Sequence, residues 1–163
     1  MKLSIVFAFA IIGFASFAFA EDFPEEFLGS WSVGKSENLD EYLSEKGYGW
    51  FTRQLVKAAS ITKTFTRAKE SGRFTAKIET TKKDVEWINV PFNEYFEGDY
   101  VDGGKHKIKF YYENGALFED HKPLDTSGEA KAELYKYEKD GTSTMIMYMT
   151  ANGVTAKRWY NKN

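Results

Sequence analysis

From Ile61 to the C-terminus, apolar and polar residues alternate with a period of two along a series of short segments. Successive side chains of a β-strand point to opposite faces, so this alternation predicts strands that bury one face. Dipeptides that allow the positive φ of tight hairpin turns, such as Asn114-Gly115 and Asn152-Gly153, separate the later segments. The predicted strands are 61–68, 73–80, 85–90, 95–101, 106–112, 117–122, 130–138, 144–150 and 154–161.

The stretch before this region combines one strand with two short helices. Residues 29–33 are predicted as a strand, and Ser36 is a candidate N-cap for a helix behind it. Gly47-Tyr48-Gly49 ends that helix, and a second one is predicted from Trp50 to about Ala59. The apolar stripes of the two helices consist of Leu39, Tyr42, Leu43, Phe51 and Leu55.

This order of elements predicts an all-β fold. One strand, two helices and about nine further strands can form a ten-stranded antiparallel up-and-down β-barrel, or clam, that removes its exposed edges by closing. The two helices would form a helix-turn-helix lid between the first and second strands. A barrel of this size holds more volume than its own side chains fill, and it is typical of proteins that enclose a ligand.

Residues 1–20 have the features of a signal peptide. Lys2 is followed by an almost unbroken apolar run, and Ala18-Phe19-Ala20 is the small-x-small pattern of a cleavage site. A membrane anchor is the alternative, but a bilayer span needs ~20 apolar residues and no such site. We therefore expect a secreted, extracellular protein whose mature part, residues 21–163, is one barrel domain.

Composition argues against several classes of function. The net charge of −2 lacks the strongly basic surface that nucleic-acid binding requires. The chain has no cysteine, and His106 and His121 stand apart from any metal-binding spacing. Neither a Gly-x-Ser-x-Gly elbow nor a phosphate-binding glycine loop occurs. We expect no enzymatic activity, no metal site and no cofactor.

The last predicted strand carries the most informative polar residues. Alternation places Ala156, Arg158 and Tyr160 on one face. If that face is the inner one, a guanidinium and a phenol converge inside the barrel, and a buried cation needs an anionic partner such as a ligand carboxylate. The alternatives at this point are that Arg158 faces solvent or that it pairs with a carboxylate of the protein.

Several motifs in fixed order resemble the fatty-acid-binding protein family, which has the intracellular lipid-binding protein fold. They are Gly29-Ser-Trp31, Asn38 with Asp40 and Tyr42-Leu43, the segment 47–54 that ends in Arg53-Gln54, and Arg158-Trp159-Tyr160. The resemblance covers residues 27–163. Together with the predicted signal peptide and a surplus of residues around Lys82–Gly104, it indicates the secreted nematode branch of this family.

The resemblance implies a role for individual residues. Arg158 and Tyr160 would hold the carboxylate of a fatty acid, assisted by Lys136, which stands where many members have a second basic residue on the eighth strand. Apart from the resemblance, Met147 and Met149 alternate on the expected inward parity of the ninth strand and would line the acyl channel, since methionine adapts to a flexible chain; filling of ordinary gaps in the core is the alternative. The portal would be framed by Leu39, Tyr42, Leu43, Phe51 and Leu55.

The expected function is reversible binding and transport of a long-chain fatty acid by a monomer, with transient contact between the lid and membranes. An alternative is a carrier of retinol or another neutral lipid, in which an internal acid such as Asp102 would neutralise Arg158. Another is an extracellular interaction protein without a lipid cavity, which would use exposed aromatic residues such as Tyr111, Tyr112 and Trp159.

Overall fold

A computed structural model describes residues 21–127 and 131–163; the predicted signal peptide lies outside these residues. The chain begins with a short 3₁₀ turn at Glu25–Phe27, and helices α1 (Leu39–Glu45) and α2 (Trp50–Ala58) follow the first strand. The strands are β1 Gly29–Glu37, β2 Ile61–Arg67, β3 Arg73–Thr80, β4 Val85–Pro91, β5 Phe96–Asp99, β6 Lys105–Glu113, β7 Ala116–Pro123, β8 Glu133–Asp140, β9 Thr144–Ala151 and β10 Val154–Lys162.

The ten strands form one antiparallel sheet in the order β4-β3-β2-β1-β10-β9-β8-β7-β6-β5. Pairing of β1 with β10 joins the two ends of the chain, so the sheet curls into a nearly closed barrel that is open only between β4 and β5. The predicted ten-stranded barrel with helices between the first and second strands is therefore confirmed. Neither helix in the described part of the chain is long and apolar enough to cross a membrane.

Two hairpins show why the glycine dipeptides predicted turns correctly. Asn114 and Gly115 have φ values of 51° and 80°, and Asn152 and Gly153 have values of 47° and 83°. Two consecutive residues with positive φ give the turn type whose twist matches that of the flanking strands. Asparagine and glycine adopt this conformation at the lowest cost.

The first strand continues further than its sequence predicts. β1 runs to Glu37 through an irregularity between Val33 and Ser36, so Ser36 is a strand residue and the prediction that it caps α1 is wrong. Asn38, with a φ of 53°, is the residue that precedes the helix. Pairing of Ser36 with Arg158 on β10 extends the strand, and this long-range contact overrides the local capping preference.

The opening between β4 and β5 is bridged by side chains. The indole Nε1 of Trp87 donates a hydrogen bond to the carbonyl of Asp99 at 3.0 Å, and the rings of Trp87 and Tyr100 are stacked. Gly98 is required here, because a Cβ atom at this position would lie 2.7 Å from the Trp87 Nε1 atom. These residues belong to the segment that the sequence indicated as surplus, and here they complete the barrel wall.

The two ends of the barrel are closed differently. At one end, Phe23 from the N-terminal segment packs among Phe65, Phe74, Phe92 and Phe110, with ring centroids 4.6 Å apart for Phe23 and Phe74. The lid covers the other end. Its helix α1 buries Leu39, Tyr42 and Leu43, and the Tyr42 hydroxyl donates a hydrogen bond to Glu133 at the start of β8.

Candidate ligand site inside the barrel

The structure places Arg158 and Tyr160 side by side on the inner face of β10. Together with Ala156 they alternate with outward residues, as the period of two predicts, and Arg158 is only 4% exposed. Met147 and Met149 on β9 share this inner face, and Met147 is directly opposite Arg158 in the strand pairing. A cationic group and flexible apolar side chains are therefore adjacent inside the barrel.

Arg158 has no carboxylate partner within salt-bridge distance among the described residues. Its Nε atom donates a hydrogen bond to the hydroxyl of Ser36 at 3.1 Å, which is a neutral partner. Asp102, the acid that could have neutralised it, accepts a hydrogen bond from His106 instead. The guanidinium charge is thus buried without compensation, a situation that costs several kcal/mol in proteins.

The neighbouring phenol is also unsatisfied. Tyr160 is fully buried, and its hydroxyl has no hydrogen-bond partner among the described residues. Burial raises its pKa to about 12, although the charge of Arg158 acts in the opposite direction. Tyr160 therefore keeps its proton at neutral pH and can donate a hydrogen bond to an anion held by Arg158.

A cleft of about 580 Å³ opens beside Arg158, between β1 and the two helices. Ser36, Leu39, Lys57 and Arg158 are among the residues that line it. The guanidinium therefore lies next to an opening under the lid.

Lys136 does not join this group. It lies on the outer face of β8, where its Nζ atom is 2.5 Å from Glu138 Oε1 and stands over the ring of Tyr148. Its neighbours on the inner face of β8 are Tyr137, which is fully buried, and Tyr135, which is half-buried. The expectation that Lys136 assists Arg158 is corrected, since its side chain points away from the interior.

The residues predicted to frame the portal separate into two sets. Leu39, Tyr42 and Leu43 of α1 are buried against the barrel, in the position that a lid requires. Phe51 and Leu55 of α2 are instead 68% and 56% exposed. The apolar stripe of α2 exists as predicted, but it faces solvent, and these two residues do not contact the interior.

A second buried cation, which the sequence analysis missed, lies across the barrel. The Nζ atom of Lys63 on β2 is 2.8 Å from Glu119 Oε2 on β7 and 2.5 Å from the hydroxyl of Tyr137 on β8. Tyr137 also donates a hydrogen bond to Glu119. The signal was present in the alternation, because Lys63 and Glu119 each stand on the inward parity of a strand between apolar or aromatic residues.

Glu119 is ionised and fully engaged in this network. Burial would raise the pKa of its carboxyl, but the charge of Lys63 and the His121 ring outweigh that effect and bring the pKa to about 2. The Nε2 atom of His121 lies 2.5 Å from the second carboxylate oxygen. Lys63 is thus neutralised by the protein itself, and it needs no ligand.

The aromatic residues of the interaction-protein alternative already have partners within the chain. Tyr111 stacks on Phe118, with ring centroids 4.9 Å apart, and Tyr112 donates a hydrogen bond to Glu26. Trp159 lies under the ammonium of Lys35. Within the described residues, no group of three or more acidic, histidine or cysteine side chains could hold a metal ion.

Comparison with known proteins agrees with this architecture, although no family model matches the sequence. Fatty acid-binding protein homolog 1 of Caenorhabditis elegans is 41% identical over 162 residues, which is 99% of each chain. The structure of As-p18, an extracellular fatty acid binding protein, superposes with a TM-score of 0.81 and 35% identity, over 88% of this chain and 100% of that one. The Schistosoma mansoni fatty acid binding protein in complex with arachidonic acid gives a TM-score of 0.67 and 28% identity, over 85% and 97%. This chain belongs to the fatty-acid-binding protein family.

Proposed function

We propose that the protein is a secreted carrier that binds one long-chain fatty acid inside the barrel and transports it in an extracellular fluid. Arg158 and Tyr160 would hold the carboxylate, and Met147 and Met149 would contact the acyl chain. Burial of the chain would supply most of the affinity, at about 0.8 kcal/mol per CH₂ group. The carboxylate contacts would select the head group and its orientation.

The observation that carries this proposal is the uncompensated charge of Arg158. A carboxylate on the guanidinium would form charge-assisted hydrogen bonds and remove the cost of the lone buried cation. The same carboxylate would give the Tyr160 hydroxyl the acceptor that it lacks. A neutral lipid such as retinol would satisfy neither need, so the structure favours an anionic head group.

A displacement titration on delipidated residues 21–163 tests the proposal. An environment-sensitive fluorescent fatty acid is bound first and then displaced by oleate, with retinol as the neutral competitor. We expect Arg158→Gln to weaken oleate binding roughly 10- to 100-fold, which corresponds to the loss of a charged hydrogen bond. Lys136→Gln is the matched control, because it removes a cation from the outer face and should leave the affinity unchanged.

The alternatives predict other outcomes of the same titration. Displacement by retinol, with no effect of Arg158→Gln, would show a neutral-lipid carrier. A probe that never becomes bright would show that no lipid enters the barrel, and the interaction-protein alternative would then replace the proposal.

Secretion after cleavage behind Ala20 is part of the proposal, and contacts of the first mature residues support it. The carboxylate of Glu21 accepts a hydrogen bond from Asn93 at 2.7 Å, and that of Asp22 accepts one from the backbone N–H of Gly72 at 2.7 Å. A chain that begins at Glu21 therefore has its first residues attached to the barrel. N-terminal sequencing of the protein from culture medium should give Glu-Asp-Phe; retention in the cell with Met1 intact would contradict secretion.

We also propose that α2 contacts membranes when the ligand is transferred. Trp50, Phe51 and Leu55 project from it as an exposed apolar surface. The basic residues Arg53 and Lys57 are both bonded to Asp40, so apolar insertion rather than charge would drive the contact. Transfer of a fluorescent fatty acid should accelerate with the concentration of acceptor vesicles, and Phe51→Ser with Leu55→Ser should abolish that dependence. A rate that is independent of vesicle concentration in the unmodified protein would contradict the contact.

A further inference from the structure

Two enclosed histidines lie together on the inner face of the barrel, toward the lid. His106 near the start of β6 is 1% exposed, and His121 near the end of β7 is fully buried. Their ring centroids are 5.6 Å apart, and the ring of Tyr100 packs against both, at 4.8 Å from His106 and 4.2 Å from His121. The carboxylate site proposed above does not include them.

Each of the two imidazole rings has a carboxylate as the partner of its Nε2 atom. His121 Nε2 is 2.5 Å from a carboxylate oxygen of Glu119, and His106 Nε2 is 2.9 Å from one of Asp102. An ionised carboxylate can only accept hydrogen bonds, so Nε2 of each ring is the donor to its carboxylate. In the tautomer with its proton on Nε2, the Nδ1 atom is a hydrogen-bond acceptor.

Neither acceptor is satisfied. The Nδ1 atoms of His106 and His121 are both buried and have no hydrogen-bond partner among the described residues. The nearby phenols do not supply one, since the hydroxyls of Tyr100 and Tyr135 are paired with each other at 3.3 Å. Buried acceptors without a donor are unfavourable and uncommon, so two of them in one place indicate that a donor binds there.

The position of the two histidines relative to Arg158 indicates which part of a bound ligand could supply this hydrogen-bond donor. Leu117 on β7 shares a row of the sheet with Arg158, through the pairing of Arg158 with Met147, Met147 with Tyr137 and Tyr137 with Leu117. His121 is four residues further along β7 in the direction of the lid, about 14 Å along the strand at the usual rise per residue. An acyl chain that is anchored at Arg158 and crosses the interior toward β6 and β7 would therefore reach the histidines beyond its first carbons.

We propose that His106 and His121 form a second polar subsite that accepts a hydrogen bond from a hydroxyl group on the acyl chain. The preferred ligand is then a hydroxylated long-chain fatty acid, with its carboxylate on Arg158 and its hydroxyl on an imidazole Nδ1 atom. This inference rests on the proposed fatty-acid binding and specifies its substrate class. A plain fatty acid still binds, but it leaves the two acceptors without a donor from the ligand.

Ricinoleate and oleate provide the test, because they differ by one hydroxyl group on the chain. In the displacement titration on delipidated residues 21–163, we expect ricinoleate to bind about tenfold more tightly than oleate, the gain of one buried hydrogen bond. His106→Phe keeps an aromatic ring of similar size but removes the acceptor. It should bring the affinities for ricinoleate and oleate close together, and an unchanged far-UV circular dichroism spectrum and melting temperature would show that the variant still folds.

A second measurement does not depend on any variant. In protein labelled with ¹⁵N-histidine, ricinoleate should shift an imidazole Nδ1 resonance, and oleate should leave both Nδ1 resonances in place. Equal affinities for the two acids, or Nδ1 resonances that respond alike to both, would overturn the inference and indicate buried water as the donor. If neither acid displaces the probe, the proposed function fails and the inference fails with it.

Discussion

Lys63 and Arg158 are both almost fully buried inside the barrel, but only Lys63 has a carboxylate partner. Glu119 and Tyr137 surround its ammonium, whereas Arg158 is bonded to the neutral hydroxyl of Ser36. A buried ion pair needs both members, and a buried cation without a partner is retained at a cost in stability. The difference distinguishes a cation that serves the fold from one that is available to a ligand.

The largest expected effect comes from breaking the satisfied pair. Lys63→Met leaves Glu119 as a buried charge without its main partner, so the free energy of unfolding should fall by about 3–5 kcal/mol. Urea denaturation of the delipidated protein measures this change. Lys136→Met, which removes an ion pair on the outer face, should cost less than about 1 kcal/mol. A similar loss in both variants would show that the interior pair has no special role.

The pH dependence of stability should report the same pair. The pKa of Glu119 falls from 4.5 to about 2 in the folded state, so its stabilisation is complete above pH 4.5 and is lost as the pH drops toward 2. By linkage, about 3 kcal/mol of unfolding free energy should disappear across this interval. Glu119→Gln should be less stable at neutral pH and should lose less of its stability on acidification. An unchanged acid profile in this variant would contradict the assignment.

Replacement of Arg158 should increase the stability of the delipidated protein, whereas replacement of Lys63 should decrease it. Arg158→Leu removes an uncompensated cation, so the delipidated variant should be more stable than the unmodified protein, by about 1 kcal/mol or more. The same excess of oleate should then raise the melting temperature of the unmodified protein more than that of the variant, because stabilisation by a ligand grows with the logarithm of its affinity. A delipidated variant that is several kcal/mol less stable would show that Arg158 has a partner within the fold.

The smallest effect is expected for Tyr160→Phe. Its hydroxyl has no partner in the described structure, so the stability of the delipidated protein should change by less than about 1 kcal/mol. Oleate affinity should fall only a few-fold, as for one neutral donor, and by less than in Arg158→Gln. Calorimetry with both variants in the same buffer provides the comparison. A larger loss of affinity for Tyr160→Phe would make the phenol, rather than the guanidinium, the principal anchor.

Alternation along single strands grouped Arg158 with Tyr160 on one face and Met147 with Met149 on another, and both faces point inward, whereas the family alignment gave the wrong face for Lys136. Arg158, Tyr160, Met147 and Met149 lie inside because each follows the parity of its own strand. The role of Lys136 rests on the resemblance to the family, and the inward positions of β8 are held by Tyr135 and Tyr137. The parity of two aromatic residues is a stronger indicator of the buried face than an alignment of one charge.

The helical lid shows a different limit of sequence patterns. The spacing of Phe51 and Leu55 predicts an apolar stripe on α2, and the stripe exists. Which neighbour covers a stripe depends on how the helix is attached, and here the stripe faces solvent while α1 covers the barrel. Amphipathicity fixes the existence of such a face but not its partner.

The buried network shows a third limit. Lys63 on β2 meets Glu119 on β7 across the interior, 56 residues away in the chain. His106 and His121, which looked unrelated to any site, become neighbours through the pairing of β6 and β7. Contacts of this kind depend on the strand order and register of the closed sheet, which local periodicity does not contain.

The sequence by itself determined the strands, the turns between them, the helical insertion and the placement of Arg158 and Tyr160 on one face of the last strand. These features follow from local rules, because side chains alternate along a strand and Asn-Gly dipeptides permit positive φ. Only the tertiary structure decided which buried charges are neutralised and which are not. A buried charge is neutralised only when a second side chain of opposite charge lies beside it. Closure of the sheet brought Glu119 to Lys63 and left Arg158 without a carboxylate.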